Sequence, residues 1–215
     1  MNLPRLYPII DLGCFGREHD PIVQATRFAG DLLRAGATII QLRDKQGDLR
    51  STLSCARELR RVTRDRARLI VNDRADLCLA SDADGVHLGQ DDLPPTAVRP
   101  IFDAAQKQGI GHSLVIGFST HSLEQVKAAD SMPVDYIAVG PVFATSSKAN
   151  PDPVIGLEGV RQARRATSKP LVAIGGITRH NCLQVREAGA DAVAVISDLL
   201  ESPVKAVEEF LRILG

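Results

Sequence analysis

The sequence predicts an α/β fold: a single (β/α)8 TIM barrel of parallel strands over residues 1–215. Three observations carry this. Short apolar runs alternate with helix-length amphipathic segments from end to end. The runs number eight. Most are apolar on consecutive residues, as in Val193-Ala194-Val195-Ile196, rather than on every second one. Consecutive apolar residues suit strands buried on both faces, and therefore a parallel sheet. An open doubly wound sheet is the competing architecture. The barrel is preferred because the eight units are complete and no Gly-x-Gly-x-x-Gly follows the first run.

The expected strands are Arg5–Asp11, Thr38–Leu42, Arg68–Asn72, Asp84–Leu88, Leu114–Ser119, Val134–Gly140, Leu171–Gly175 and Ala192–Ser197. Between the first two, Asp20-Pro21 supplies an N-cap and a first-turn proline. Ile22, Ala25, Ala29, Leu32 and Leu33 then share a face, and Gly36 ends the helix. Asp48 can cap a second helix with Leu49, Leu53, Ala56, Leu59 and Val62 inward. Residues 74–82 leave room for only about two helical turns. Thr178 can cap a helix ending at Gly189. Ser202-Pro203 opens the last helix, with Val204, Val207, Leu211 and Leu214 at helical spacing.

Composition removes several function classes. Lys plus Arg total 26 and Asp plus Glu total 26, so the formal net charge is zero. That balance, with no basic run, argues against a nucleic-acid binder. The absence of tryptophan removes the usual base-stacking platform. No apolar run reaches membrane-spanning length, so no membrane partner is expected. The scattered Cys14, Cys55, Cys78 and Cys182 form no Cys-x-x-Cys pair. Without a signal-like apolar N-terminus, reduced thiols in a cytoplasmic setting are the expectation. Oligomeric state is not legible.

In a barrel of this kind, chemistry sits on the loops after the strands. Here those strand ends are polar: Gln41-Leu42-Arg43-Asp44-Lys45, Asn72-Asp73-Arg74, Gly89-Gln90-Asp91-Asp92, Ser119-Thr120-His121, Thr145-Ser146-Ser147-Lys148, Gly175-Gly176-Ile177-Thr178 and Ile196-Ser197. The barrel would gather all of them at one mouth. Arg43 and Lys45, two apart, suit a phosphate-type oxyanion, although a solvated turn paired to Asp44 would use the same residues. Asp73 and Asp92 suit Mg2+ bridged to substrate phosphate oxygens, although helix capping would also use Asp92. Gly176, at a helix start, and Ser197 occupy the positions of a barrel phosphate site. His87 reads as structural. No Ser-His-Asp or Cys-His arrangement points to nucleophilic catalysis. Two anion sites in one mouth suit a diphosphate substrate beside a monophosphate, with diphosphate as the leaving group.

Taken as an ordered set, several motifs resemble the thiamine phosphate synthase (thiamine-phosphate pyrophosphorylase) family. They are Gln41-Leu42-Arg43-Asp44-Lys45, Val71-Asn72-Asp73, Gly85-Val86-His87-Leu88-Gly89-Gln90-Asp91-Asp92, Gly140-Pro141-Val142-Phe143-Ala144-Thr145 with Lys148, and Ala173-Ile174-Gly175-Gly176-Ile177. The resemblance implies a (β/α)8 barrel that condenses hydroxymethylpyrimidine diphosphate with hydroxyethylthiazole phosphate. The products would be thiamine monophosphate and diphosphate. It also implies that Arg43, Lys45, Asn72 and Lys148 hold the diphosphate, and that Asp73 and Asp92 ligate Mg2+. Gln41 and Ser119 would contact the pyrimidine. Thr145, Ser147, Gly176, Ile196 and Ser197 would surround the thiazole phosphate. The implied mechanism is dissociative, with Arg43, Lys45, Lys148 and Ser119 in the reacting set.

Two departures stand out. The family's Thr-x-Thr-Lys reads Thr145-Ser146-Ser147-Lys148 here, keeping the hydroxyl but not the methyl. Gly13-Cys14-Phe15-Gly16-Arg17 lengthens the first loop. The small-residue and proline content of residues 144–153 suits a lid over the site. The rival readings are a related barrel that tautomerises the thiazole phosphate and a non-catalytic regulator that binds thiamine phosphate.

Overall fold

A computed structural model describes residues 3–16, 20–110, 114–145 and 152–215. Eight strands and eight helices alternate in it. The strands are β1 (Leu6–Asp11), β2 (Ile39–Arg43), β3 (Arg68–Asn72), β4 (Gly85–Leu88), β5 (Val115–Thr120), β6 (Tyr136–Val139), β7 (Leu171–Ile174) and β8 (Ala192–Val195). The helices are α1 (Pro21–Arg34), α2 (Leu49–Thr63), α3 (Ala75–Ala80), α4 (Pro95–Lys107), α5 (Leu123–Asp130), α6 (Gly156–Ala166), α7 (Cys182–Glu187) and α8 (Pro203–Leu214). Every strand is parallel to its neighbours, and β8 pairs β1, which closes the barrel.

Because each strand alternates its side chains, the barrel has two cores. One lies between sheet and helices, built from residues such as Leu32, Ile40, Leu59, Leu69 and Phe210. The other fills the barrel interior with Tyr7, Ile9, Ile39, Ile70, Val115, Tyr136, Val172 and Ala194. Burial on both faces is what the continuous apolar runs require.

Local signals set the helix starts. The Asp20 carboxylate accepts from Ile22 N–H at 2.8 Å and Pro21 opens α1, while Gly36 leaves the helix at φ +100°. Asp48 accepts from the Arg50 and Ser51 amides at the head of α2.

Some expectations shift. Leu49 is exposed, and α2 instead buries Thr52, Cys55, Ala56, Leu59, Arg60 and Thr63. Polar anchors set that rotation: Thr52 donates to Asp44 at 2.7 Å, and Arg60 pairs Asp84 at 2.9 Å. Helix α7 begins at Cys182, later than expected. Thr178 therefore does not cap it with its side chain; its amide donates instead to Asn181. Asp92 does not cap α4, whose first turn follows Pro94.

The end of the barrel opposite the strand C-termini carries a repeated fastening that the sequence reading did not find. Asp84, Asp135 and Asp191 each precede an even-numbered strand. Each carboxylate accepts an amide from the first two residues of the preceding strand: Leu69 at 2.8 Å, Ile116 at 2.7 Å and Leu171 at 2.8 Å. Each also pairs an arginine of the helix that leads into the first of the two strands: Arg60 of α2, Arg99 of α4 and Arg164 of α6. One carboxylate thus ties two strands and a helix together, and the helical ring is held at the same level three times around the barrel.

Candidate active site

The strand C-termini open into a cavity of about 490 Å3. Every described residue singled out from the sequence lines it: Gln41, Arg43, Lys45, Asn72, Asp73, Asp92, Ser119, Thr145, Gly176, Ile196 and Ser197. Ser147 and Lys148 lie outside the described residues, as do residues 146–151 of the expected lid. Seven strand ends therefore converge, as the barrel requires.

The cations are not paired to Asp44. Arg43 ends β2 and forms an ion pair with Asp11, its register neighbour at the end of β1. Asp11 also accepts the Gly13 amide at 3.0 Å, which turns the chain into the short 3₁₀ helix Leu12–Cys14. This gives the beginning of the long first loop a role: it holds the carboxylate that aims Arg43. Lys45 reaches Asp73 at 2.5 Å. Asp44 instead caps its own loop through the Gln46 and Gly47 amides.

Asp73 stands at φ +65°, a left-handed conformation that Asp tolerates better than most residues. Its amide donates to the His87 carbonyl at 2.7 Å, which fixes this turn at the end of β3. The carboxylates of Asp73 and Asp92 stand as neighbours. Burial first, and Asp73 second, raise Asp92 above the usual carboxylate range, against the lowering effect of the Gly89 amide. That amide donates to Asp92 at 2.6 Å. Two neighbouring carboxylates favour a cation between them. Among the described residues, no cluster of three or more His, Cys, Asp or Glu side chains could hold a metal. The pair alone leaves most of a coordination shell to other oxygens, a pattern that fits Mg2+ beside a phosphate.

Across the mouth, Gly175 and Gly176 take φ +99° and +63°. A Cβ on Gly176 would stand 2.5 Å from the Ala144 carbonyl oxygen, so the loops after β6 and β7 touch through bare backbone. The expected helix start at Gly176 is not there. The chain first makes a turn closed by Asn181, which donates to the Gly176 carbonyl at 3.0 Å. Any anion contact at Gly176 therefore comes from loop amides rather than a helix dipole. Arg179 braces the site from outside, pairing Asp198 at 3.0 Å and Glu209 at 2.6 Å. It locks the loop after β7 to the loop after β8 and to α8.

The cavity floor is polar; the sequence points to Gln41 and Ser119 there and marks His87 as structural, but singles out neither Tyr7 nor Tyr136. Gln41, Tyr7, Tyr136, His87 and Ser119 form one chain of hydrogen bonds. Burial pushes the Tyr7 and Tyr136 hydroxyls up and pulls the His87 imidazole down to about 4, so the floor is uncharged near neutrality. The signal that could have found it is the strand alternation. Tyr7, Gln41, His87, Ser119 and Tyr136 are polar residues at inward positions of otherwise apolar strands. At the rim, a His121 ring nitrogen lies 2.7 Å from the Gly140 carbonyl oxygen, and Gln90 donates to the Ser119 carbonyl at 2.5 Å.

A barrel that opposes cations and paired carboxylates to a glycine loop across one mouth belongs to the class of phosphate-handling (β/α)8 proteins. Comparison with known proteins narrows that class. The family model described as thiamine monophosphate synthase matches residues 16–199. A thiamine-phosphate synthase of Koribacter versatilis is 51% identical over 214 residues, covering 100% of this chain and 97% of that protein. One from Chloroflexus aurantiacus is 41% identical, covering 98% and 92%. The thiamine phosphate pyrophosphorylase structure from Pyrococcus furiosus superposes with a TM-score of 0.82 at 36% identity, covering 98% of this chain and 95% of that one. The chain belongs to the thiamine monophosphate synthase family. Among its described residues, no helix is long and apolar enough to cross a membrane.

Proposed function

We propose that this chain condenses 4-amino-2-methyl-5-hydroxymethylpyrimidine diphosphate with hydroxyethylthiazole phosphate, giving thiamine monophosphate and diphosphate. The observation that carries the reading is the union, in one cavity, of Arg43, Lys45 and the Asp73–Asp92 pair with the Gly176–Ser197 side. One half suits a diphosphate and the other a monophosphate. The polar floor between them suits a heterocycle.

Mg2+ would be held by Asp73 and Asp92, and when bound it supplies charge neutralisation to the departing diphosphate. Arg43 and Lys45 hold that diphosphate and take up the charge that develops on its bridging oxygen. Asn72 donates to it from the end of β3, and Lys148 completes the cationic set. The carbon–oxygen bond breaks first, and the amino group of the pyrimidine stabilises the resulting cation. The thiazole nitrogen then attacks the exocyclic carbon. Gly176, Ser197, Thr145, Ser147 and Ile196 hold the thiazole phosphate so that this nitrogen faces the cation. The uncharged floor offers no competing nucleophile or strong base, as a cationic intermediate needs.

The test is direct. Purified protein is mixed with both substrates and Mg2+, and thiamine phosphate is followed over time. Turnover abolished by EDTA and restored by Mg2+ is expected. Folded protein that makes no product would end the reading. Formation of only a tautomerised thiazole phosphate would transfer the chain to the rival chemistry. Substituting Asp92 by Asn should lower kcat by orders of magnitude, because one carboxylate then holds the cation alone.

A further inference from the structure

We infer that Tyr7, Tyr136 and His87 form a polarity relay that ties the hydrogen-bonding sense of Gln41 to that of Ser119, so that the floor selects an aminopyrimidine over its oxo counterpart. The inference rests on the proposed function in taking a pyrimidine as the ligand on this floor.

Gln41 sets the direction. Its Nε2 faces the Tyr7 hydroxyl at 3.2 Å, and an amide nitrogen can only donate. Tyr7 then has one proton to place, and its other partner is the Tyr136 hydroxyl at 2.8 Å. Tyr136, having accepted from Tyr7, donates to His87 Nδ1 at 3.0 Å. Neutral imidazole carries a single ring proton, which therefore lies on Nε2. Nε2 donates to Ser119 Oγ at 2.8 Å. Two groups are left over, Gln41 Oε1 as an acceptor and the Ser119 hydroxyl proton as a donor. Both residues line the cavity.

With Gln41 so placed, reversing the middle of the chain would strand the Tyr7 proton on a side chain only 1% exposed. A buried donor without a partner is the costlier arrangement. Reversal is possible only if the Gln41 amide turns over and every bond flips with it. The two ends are therefore coupled, and with Gln41 Nε2 on Tyr7 the floor is acceptor at Gln41 and donor at Ser119. An aminopyrimidine offers an amine that donates and ring nitrogens that accept, which matches that state. The oxo analogue offers a carbonyl and a ring N–H, which inverts the pattern. Gly117 makes the relay possible, because a Cβ there would stand 2.0 Å from Tyr136 Cζ.

Tyr7, Tyr136 and His87 are positioning residues, and the test reads position directly. In the full-length, ligand-free protein labelled with 15N-histidine, long-range proton–nitrogen correlation should show His87 as the Nε2–H tautomer. Nδ1–H would overturn the inference. This spectrum decides the relay whether or not the protein turns over both substrates. In the Gln41→Glu variant the carboxylate only accepts, so the tautomer should switch to Nδ1–H, and an unchanged Nε2–H would also overturn it. Tyr136→Phe should lower kcat/KM for the pyrimidine diphosphate about 10- to 100-fold, as expected for one lost buried bond. The KM for thiazole phosphate should hold, and the preference for the amino over the oxo analogue should shrink. Equal loss for both analogues, or for both substrates, would reduce the tyrosine to a packing role and overturn the selection.

Discussion

Removing the carboxylate of Asp84 should cost more than removing either of its two counterparts. Asp84 accepts Arg60 Nη1 at 2.9 Å and the Leu69 amide at 2.8 Å. The Arg60 side chain is only 7% exposed. Its Nε is already a buried polar atom without a hydrogen-bond partner, with Asp82 at 3.7 Å. Asp84→Ala would leave a buried guanidinium nearly uncompensated, a loss of about 3–5 kcal/mol. Asp135→Ala leaves Arg99, 22% exposed, its bonds to the Pro133 and Leu114 carbonyls, so about 2 kcal/mol is expected. Asp191 is 48% exposed and Arg164 keeps the Thr167 and Lys169 carbonyls, so about 1 kcal/mol is expected. Urea unfolding of the three variants, with midpoint and slope fitted separately, measures the order. All three lie opposite the cavity, so kcat/KM at 25 °C should stay within about twofold wherever the fold is intact. Equal losses, or the largest loss at Asp191, would refute burial as the controlling variable. Lost activity in a folded variant would refute the separation of the two barrel ends.

Acid should weaken the fold through His87. Its pKa is about 4 when folded, against an ordinary 6.5, so between those values the unfolded chain binds a proton that the folded chain refuses. The stabilisation is present above pH 6.5 and lost as pH falls through that window to 4, about 3 kcal/mol in all. Urea midpoints against pH should show the slope, and His87→Gln should flatten it. Arg179→Ala should loosen the two phosphate-side loops and raise the KM for thiazole phosphate about tenfold, leaving that for the pyrimidine diphosphate unchanged in steady-state assays. Gly176→Ala places a Cβ 2.5 Å from the Ala144 carbonyl oxygen at φ +63°. It should cost about 1–3 kcal/mol by thermal unfolding and raise the same KM.

The fold was legible because its determinants are local and repeated. A capped amphipathic helix or a doubly apolar strand declares itself within ten or so residues, and eight repetitions leave little choice of closure. The cavity's membership was legible for a related reason, since topology alone carries strand ends to one mouth. What the residues do to one another was not. Arg43 could be assigned to Asp44 by proximity in sequence, yet it pairs with Asp11 because β1 and β2 lie side by side. The aspartate–arginine fastenings span 24 to 36 residues and have no local signature. His87 looked structural because a histidine in an apolar run usually is. Only the barrel's closure shows that it faces Ser119 and Tyr136. Leu49 falls on the inward face by hydrophobicity alone, but the polar anchors at Thr52 and Arg60 turn α2 so that it is exposed.

Zero net charge takes on a physical meaning in this arrangement. The mouth is not a basic patch waiting for phosphate. Its described cations are already balanced, Arg43 by Asp11 and Lys45 by Asp73, and Asp92 stands beside Asp73. A site of this kind binds an anion weakly by itself, because every cation must first be taken from a carboxylate. Under the proposed function it would bind a diphosphate well once a divalent cation arrives with it, since the cation would satisfy Asp73 and Asp92 and release Lys45 toward the phosphate. The same pairings would therefore make anion and cation depend on each other. Under the proposed function, magnesium dependence would follow from the pairing of these residues as much as from the chemistry of the leaving group. The uncharged floor complements this. It adds no charge of its own to a balance that the rim has to settle, and it leaves discrimination to the direction of its hydrogen bonds.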